Sequence, residues 1–182
     1  MGYLHQFLPP HIRPLRDDML IAGRAMTVLE ADVHDNSASG GNNPLLQRSF
    51  GLMLEALDDL KEDEVYICSG SSPRYALWGE LMSARAIQCK AAGAVVNGYS
   101  RDTKGILALN FHCFSYGPYA QDQAPRGKVI DYRVPLELDG VLVNAENENE
   151  MSKAIVSMIE DKEFRKKLSK NLTSVIDKDS IS

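Results

Sequence analysis

Apolar positions along the chain fall into short continuous runs and longer runs at helical spacing. Over residues 45–60, Leu45, Leu46, Phe50, Leu52, Met53, Leu54, Leu57 and Leu60 predict an amphipathic helix with its apolar stripe inward. Leu77, Leu81, Ala84 and Ile87-Gln88 keep the same period up to a break at Gly93 and predict a second helix, from about Gly79 to Ala91. The run Met19 to Leu29, with its β-branched and apolar residues, predicts one or two strands interrupted near Gly23. Further strands are predicted over Glu64 to Cys68, Ala94 to Asn97, Asn110 to Phe114, Lys128 to Val134 and Gly140 to Val143, with a helical turn over Thr103 to Leu109. Pro9, Pro10 and Pro14 exclude a regular helix at the start. Asn36 to Pro44, rich in Gly, Asn and Ser, reads as a loop. Strands alternating with helices predict an α/β domain.

Beyond Asn144 the character changes. Ala145 to Glu150 is acidic and polar, and Ile155, Met158, Ile159, Phe164, Leu168, Leu172 and Val175 then recur at helical spacing. The expected organisation is a single domain over 1–143 with a C-terminal helical tail over 144–182. There is no internal repeat.

A chain of 182 residues with 44% hydrophobic and 25% charged residues is ordinary for a soluble globular protein and can bury a sizeable core. The net charge of -5 argues against a nucleic-acid partner. No run of 18 apolar residues predicts a membrane span, and the first residues carry no signal-peptide pattern, so a cytoplasmic protein is expected. Cys68, Cys89 and Cys113 have neither disulfide-framework nor zinc-site spacing and read as reduced, packing thiols.

The chemistry concentrates between Trp78 and Asp102. A helix rising about 1.5 Å per residue from Gly79, a turn at Gly93 and a strand returning at about 3.3 Å per residue bring Arg101 and Asp102 back towards Gly79 and Glu80. A helix N-terminus offers unpaired N–H groups and a partial positive charge to an anion. Arg101 can grip a carboxylate bidentately, and Asp102 is a hard oxygen ligand of the kind that holds magnesium beside substrate oxygens. On spacing alone, Arg-Asp also suits a solvated loop, and Glu80 suits an acid that complements the helix dipole.

Three stretches carry a resemblance. Gly23-Arg24-Ala25-Met26-Thr27-Val28, then Ser69 through Leu81 (Ser-Gly-Ser-Ser-Pro-Arg-Tyr-Ala-Leu-Trp-Gly-Glu-Leu), then Gly93 through Asp102, resemble the RraA-like family over roughly residues 9–143. That family includes 4-hydroxy-4-methyl-2-oxoglutarate aldolases and regulators of ribonuclease activity. Its aldolase branch carries an acidic residue, twenty intervening residues, then Arg-Asp, and Glu80 with Arg101-Asp102 matches. The regulators lack the Asp after the Arg.

The resemblance implies a β/β/α swivelling-domain type of fold, N-terminally short in this chain, and a homotrimer or hexamer. It implies a divalent-metal-dependent lyase that cleaves a 4-hydroxy-2-oxo acid such as 4-hydroxy-4-methyl-2-oxoglutarate to pyruvate, with oxaloacetate decarboxylation as a side activity. Catalytic roles fall to Arg101, Asp102 and Glu80. Gly79, Glu80, Leu81, Met82 and Arg101 would bind the substrate, and Asp102 would ligate Mg2+ or Mn2+ directly, with Glu80 reaching it through water. A neighbouring subunit's acid assists some aldolases, and Glu146, Glu148 and Glu150 are candidates. The alternative is a non-catalytic RraA-like regulatory protein that binds an RNA-degrading enzyme. A methyltransferase is disfavoured, since no Gly-rich nucleotide loop follows a first strand.

Other candidates read more simply as structural. Asp32 and His34 would share a strand face without a partner cluster. His112 between Phe111 and Cys113 reads as a core-edge histidine. Ser37 and Ser39 lack a nucleophile elbow, and Gly70-Ser71-Ser72 lacks the ending of a phosphate-binding loop. Arg74 is either a second anion contact or a surface charge.

Overall fold

Residues Glu64–Ser69 alternate Val65 and Ile67 on one side with Tyr66 and Cys68 on the other, and the molecule is layered on that alternation. The computed structural model describes residues 8–34, 44–139 and 141–143. In chain order the strands are β1 (Arg13–Pro14), β2 (Arg24–Asp32), β3 (Glu64–Ser69), β4 (Ala76–Trp78), β5 (Gly93–Val96), β6 (Tyr99–Ser100), β7 (Cys113–Ser115), β8 (Gly127–Tyr132), β9 (Leu136–Leu138) and β10 (Val141–Val143). The helices are α1 (Met53–Asp58), α2 (Glu80–Gln88) and α3 (Thr103–Ala108), with a 3-10 turn at Pro44–Gln47. The expected tail helices, the loop serines Ser37 and Ser39, and Glu146, Glu148 and Glu150 lie outside the described residues.

Six strands form one mixed sheet in the order β1-β7-β5-β3-β2-β8. Its centre is parallel and its outer pairs, β1 with β7 and β2 with β8, are antiparallel. On one face Met26, Val28, Tyr66, Cys68, Ala94 and Val96 join Met53, Ala56, Leu57 and Ala86 from the helices and Ile106 from α3 in the main core. On the other, Val65 and Val95 pack against Ile12 and the β9–β10 hairpin residues Leu136 and Leu138. The α/β expectation holds. No helix among the described residues is long and apolar enough to cross a membrane.

Several boundaries differ from the sequence reading, each for a local reason. The helix expected over 45–60 is broken, because residues 50–52 dock edge-on against β8. Leu52 N–H donates to Val129 O at 2.9 Å, and Val129 N–H donates to Phe50 O at 3.2 Å. Gly51, at φ +62, allows that approach, since a Cβ there would meet the Val129 carbonyl. The strand expected from Met19 starts only at Arg24. Gly23 passes tight under Asp63 O, and Ile21 covers Gly93.

Leu77 belongs not to the second helix but to β4, which the periodicity hid. The face of α2 is also opposite to expectation. It buries Ser83 and Ala86, while Leu81 and Ile87 stay exposed. The strand expected from Asn110 begins at Cys113, because Asn110 takes φ +51 at the end of α3.

One guanidinium ties three elements together below this core. Arg133 donates to Glu64 at 2.9 and 3.0 Å, and to the Asp59 carboxylate and carbonyl at 2.5 and 2.8 Å. It thereby joins the end of α1, the start of β3 and the chain after β8. Glu64 is buried, so removing its partner strands a charge. Arg133→Ala is expected to cost about 3 kcal/mol. That is a fall of roughly 10 °C in Tm by calorimetry or circular dichroism, and Arg133→Lys should recover only part of it, for want of the bidentate fork.

Candidate functional site

β4 and β6 lie side by side and parallel, each running straight into a helix. Ala76 pairs with Tyr99 and Trp78 with Ser100, and Arg101 N–H donates to Trp78 O at 2.8 Å. The two strand ends therefore deliver the start of α2 and the start of α3 to one place. The helix-out, strand-back path expected from the spacing is present, with β5 continuing through Gly98 into β6. Gly79 is the contact point. A Cβ on it would lie 3.1 Å from Asp102 Oδ2 and 3.4 Å from Arg101 Cγ.

Gly79 caps α2 with extended backbone and no side-chain hydrogen bond. The N–H groups of Glu80, Leu81 and Met82 fall in the first turn, which has no intrahelical acceptors. Asp102 occupies the same position ahead of α3 in left-handed backbone, φ 57 and ψ 34, which aspartate tolerates better than most residues. Its carbonyl accepts from Gly105 and Ile106 at 2.8 and 3.1 Å, while its carboxylate makes no capping bond and is 43% exposed. That carboxylate is left available for another partner. Glu80 reaches across to α3, where its carboxylate fills the space a Gly105 side chain would take.

Arg101 is held between two acids. Its Nε lies 3.4 Å from Asp102 Oδ2 and its Nη1 lies 3.0 Å from Asp122 Oδ2. Asp122 is a site residue that the sequence reading misses. It arrives on the segment after β7, twenty-one residues from Arg101 by number, and no periodicity or motif points to it. Its neighbour Gln121 anchors that segment by accepting from Ala76 N–H at 2.8 Å.

Beside these groups opens a cavity of about 400 Å³. Arg101, Asp102, Asp122 and Gln123 supply its polar wall, and Phe50, Leu54, Leu57, Leu81 and Met82 much of the rest. Trp78 lines it too, fixed by Nε1–H donating to Ser83 Oγ at 2.8 Å and by a stacked contact with Phe111 at 5.6 Å. Of the residues expected to bind substrate or metal, Gly79, Leu81, Met82, Arg101 and Asp102 line this cavity, and Glu80 does not. Gln123 is 3% exposed, and its Nε2 has no hydrogen bond of good geometry.

Behind Gln123 lies Glu30, also buried, among the Tyr75 hydroxyl, the Cys68 thiol and Asp32. Burial pushes its carboxyl up to about 8, against the weaker pull of the Tyr75, Cys68 and Gln123 donors. Burial likewise raises the Cys68 thiol well above its usual value and the Cys113 thiol to about 12. All three cysteines are unpaired, as expected for packing thiols.

The remaining candidates stand apart. Asp32 closes β2 and accepts from Ser72 N–H at 3.0 Å and from the Tyr75 hydroxyl at 3.1 Å, so it braces the Gly70 turn. Arg74 lines a separate cavity of about 280 Å³ with Asp32 and His34, not the one at Arg101. His112, just ahead of β7, has Nδ1 2.5 Å from Leu20 O.

The fold and paired helix starts define an α/β protein of aldolase/RraA type, and the comparisons agree. The chain belongs to the RraA-like family, whose aldolase/RraA model matches residues 1–147. A Bacillus cereus protein provisionally assigned as a 4-hydroxy-4-methyl-2-oxoglutarate aldolase is 33% identical over 91 residues, 50% of this chain and 57% of that protein. The chain thus spans a little over half the length of that curated relative. A solved structure described as a novel cellulase from gut-associated microbes is 28% identical, with a TM-score of 0.65, over 78% of this chain and 60% of that one. The RNA-processing inhibitor RraA of Thermus thermophilis shares the fold at a TM-score of 0.57 and 23% identity, over 76% of this chain and 74% of that one.

Glu30 gives the site's supporting core a pH signature. Its folded value of about 8 stands above the ordinary 4.5. Between those values the unfolded chain has released a proton that the folded chain keeps, so stability falls as pH rises through that window. Tm should decline from about pH 5 to about pH 8, and Glu30→Gln should flatten that decline. A wild-type Tm that rises across this range would contradict the assignment.

Proposed function

We infer that the chain is a divalent-metal-dependent lyase that releases pyruvate from a 4-hydroxy-2-oxo acid. The convergence of Arg101, Asp102 and the unpaired N–H groups of α2 on Gly79 supports this most directly. Family membership and the 33% identical relative are consistent with it.

The donor set suits Mg2+ or Mn2+. Among the described residues no three His, Cys, Asp or Glu side chains cluster to cage an ion. Magnesium needs no such cage, because it binds through one or two carboxylates, waters and substrate oxygens. Asp102, uncapped and half-exposed, would hold it, and Glu80, seated in the Gly105 notch, would act through water. When bound, the ion supplies Lewis acidity to the 2-oxo group.

The chain's own residues would do the rest. The N–H groups of Glu80, Leu81 and Met82 would take the substrate carboxylate, with the helix dipole favouring its charge. Arg101, oriented by Asp122, would donate to the 2-oxo oxygen. As water takes the 4-hydroxyl proton, C4 would become a carbonyl, C3–C4 would break and the charge would collect on the 2-oxo oxygen as an enolate, which would then take a proton from water at C3 to give pyruvate. The guanidinium then meets more negative charge than in the ground state, which is the condition for lowering a barrier. Decarboxylation of oxaloacetate places charge on the same oxygen, so the same residues would serve it.

The test is pyruvate release from 4-hydroxy-4-methyl-2-oxoglutarate and from oxaloacetate, with magnesium and with chelator. Chelation should abolish turnover, and Asp102→Ala should lower kcat/KM by roughly 100-fold or more. Arg101→Lys should cost about tenfold or more, because an ammonium cannot reproduce the planar fork. Full activity in chelator or in Asp102→Ala would sink the reading. Folded protein without turnover of either substrate would favour the regulatory alternative.

A further inference from the structure

The segment after β7 brings one amide into the wall of the Arg101 cavity. Gln123 follows Asp122, whose Oδ2 lies 3.0 Å from Arg101 Nη1, and both residues line that cavity. The Gln123 backbone is pinned, because its carbonyl accepts from Arg126 and Gly127 N–H at 2.6 and 2.9 Å. Its side chain is buried, yet Nε2 has no hydrogen bond of good geometry. The carboxyl behind it, Glu30, is in the same position at Oε1. Glu30 Oε2 accepts from Cys68 Sγ at 3.7 Å. Gly127 abuts the other oxygen, since a Cβ there would lie 2.5 Å from Oε1.

One rotation meets both needs. The groups facing Glu30 are Tyr66 and Cys68 on β3, Tyr75 ahead of β4, Asp32 at the end of β2 and Gln123, and none is a cation. A buried carboxyl in such company keeps its proton, so it has one O–H to give. A half-turn of the Gln123 amide lets that O–H donate to Gln123 Oε1 and turns Nε2 towards the cavity. We propose that Gln123 is a ligand-binding residue of this site, donating from Nε2 to an oxygen of the bound acid, and that Glu30 is the positioning residue that sets its amide as a donor. The proposal takes the identity of the ligand from the 2-oxo acid reading. It does not depend on which end of the acid Arg101 holds.

Of the groups around Glu30, only Glu30 itself titrates near neutral pH. Burial pushes its carboxyl up to about 8 and lifts the Cys68 thiol and the Tyr66 and Tyr75 hydroxyls above their ordinary values. Asp32 stays low, its burial outweighed by the Ser72 and Tyr75 donors. Once ionised, Glu30 can only accept. It would draw Nε2–H back and leave the amide oxygen facing the oxygen of the ligand.

Calorimetric titration of the full chain with magnesium reads this without turnover. The probe is 2-oxoglutarate, which has the backbone of the proposed substrate and no 4-hydroxyl to cleave. Gln123→Met keeps the shape and removes the donor, and should weaken binding about tenfold at neutral pH. In the unaltered chain, binding should weaken about fivefold from about pH 7 to about pH 9. Glu30→Gln, whose amide donates at every pH, should bind as the unaltered chain does at neutral pH and show no such loss. That comparison holds whether or not Gln123→Met folds.

Binding in folded Gln123→Met as tight as in the unaltered chain would overturn the proposal, and pyruvate release could still stand. An equal alkaline loss in Glu30→Gln would overturn it too, by detaching the amide from Glu30. The expected pattern without any turnover would uphold the proposal and remove the lyase reading. Failure of 2-oxoglutarate to bind the unaltered chain would overturn the proposal and leave the lyase reading to pyruvate release alone.

Discussion

The hydrogen bond from Arg101 N–H to Trp78 O, at 2.8 Å, closes the β4–β6 pair just where each strand turns into its helix. The arrangement of the site follows from it. Parallel pairing points two strands the same way, so two helices start at the same end. Each start carries unpaired N–H groups and a partial positive charge. Had the pair been antiparallel, Gly79 and Asp102 would lie at opposite ends of it. The pairing is short, three residues against two, and it is held from below by Trp78. That ring packs on Tyr66 at 4.9 Å and on Phe111 at 5.6 Å. The core and the site thus share one residue, whose ring packs on aromatic neighbours while its backbone carbonyl fixes Arg101.

Close approach then sets the residue types. Gly79 and Gly105 each stand where a side chain would collide with, or crowd, a carboxylate from the other helix. Asp102 takes the left-handed conformation that turns the chain from β6 into α3 without spending its carboxylate on a cap. In most helices an aspartate there would bond the exposed N–H groups behind it. Here the carboxylate faces Arg101 and Gly79 instead. Asp122 completes the frame from a third segment, so the guanidinium is restrained from two sides before any ligand arrives.

Much of this was legible in the sequence, and the limits have physical causes. The helix-out, strand-back geometry follows from two rises per residue and a glycine turn, so the proximity of Glu80, Gly79, Arg101 and Asp102 could be worked out from spacing. β4 could not, because Leu77 satisfies a helical period with Leu81 by coincidence and only pairing with β6 reveals the strand. The break in the 45–60 helix was hidden for a similar reason. The apolar period survives it, while the backbone of Phe50 and Leu52 is captured by Val129. Asp122 and Gln123 were invisible because a loop residue's role depends on where the loop is pinned, and Gln121 pins it to Ala76 through backbone alone. The exposed face of α2 reversed expectation because its buried side meets neighbours closely enough to admit only Ser83 and Ala86.

Buried polar groups without a hydrogen bond of good geometry among the described residues are Thr27 Oγ1, Glu30 Oε1, Ser71 Oγ, Ser72 Oγ, Thr103 Oγ1 and Gln123 Nε2. Gln123 lines the Arg101 cavity with Glu30 behind it, while Ser72 lines the separate cavity at Arg74. Leaving such a group unsatisfied costs about 1–3 kcal/mol. The opposite face of the sheet, where Val65, Val95, Leu136 and Leu138 meet, is closed by apolar side chains. The main core on the helix-bearing face and the Arg133 clamp hold the fold, and unsatisfied polar groups are tolerated beside the cavity. That is the distribution expected where a fold tolerates local cost to keep donors and acids in reach of a ligand. It also gives Gln123 a reason to be there. An amide set between a neutral carboxyl and an open cavity keeps N–H capacity in reach of space that a substrate oxygen can fill.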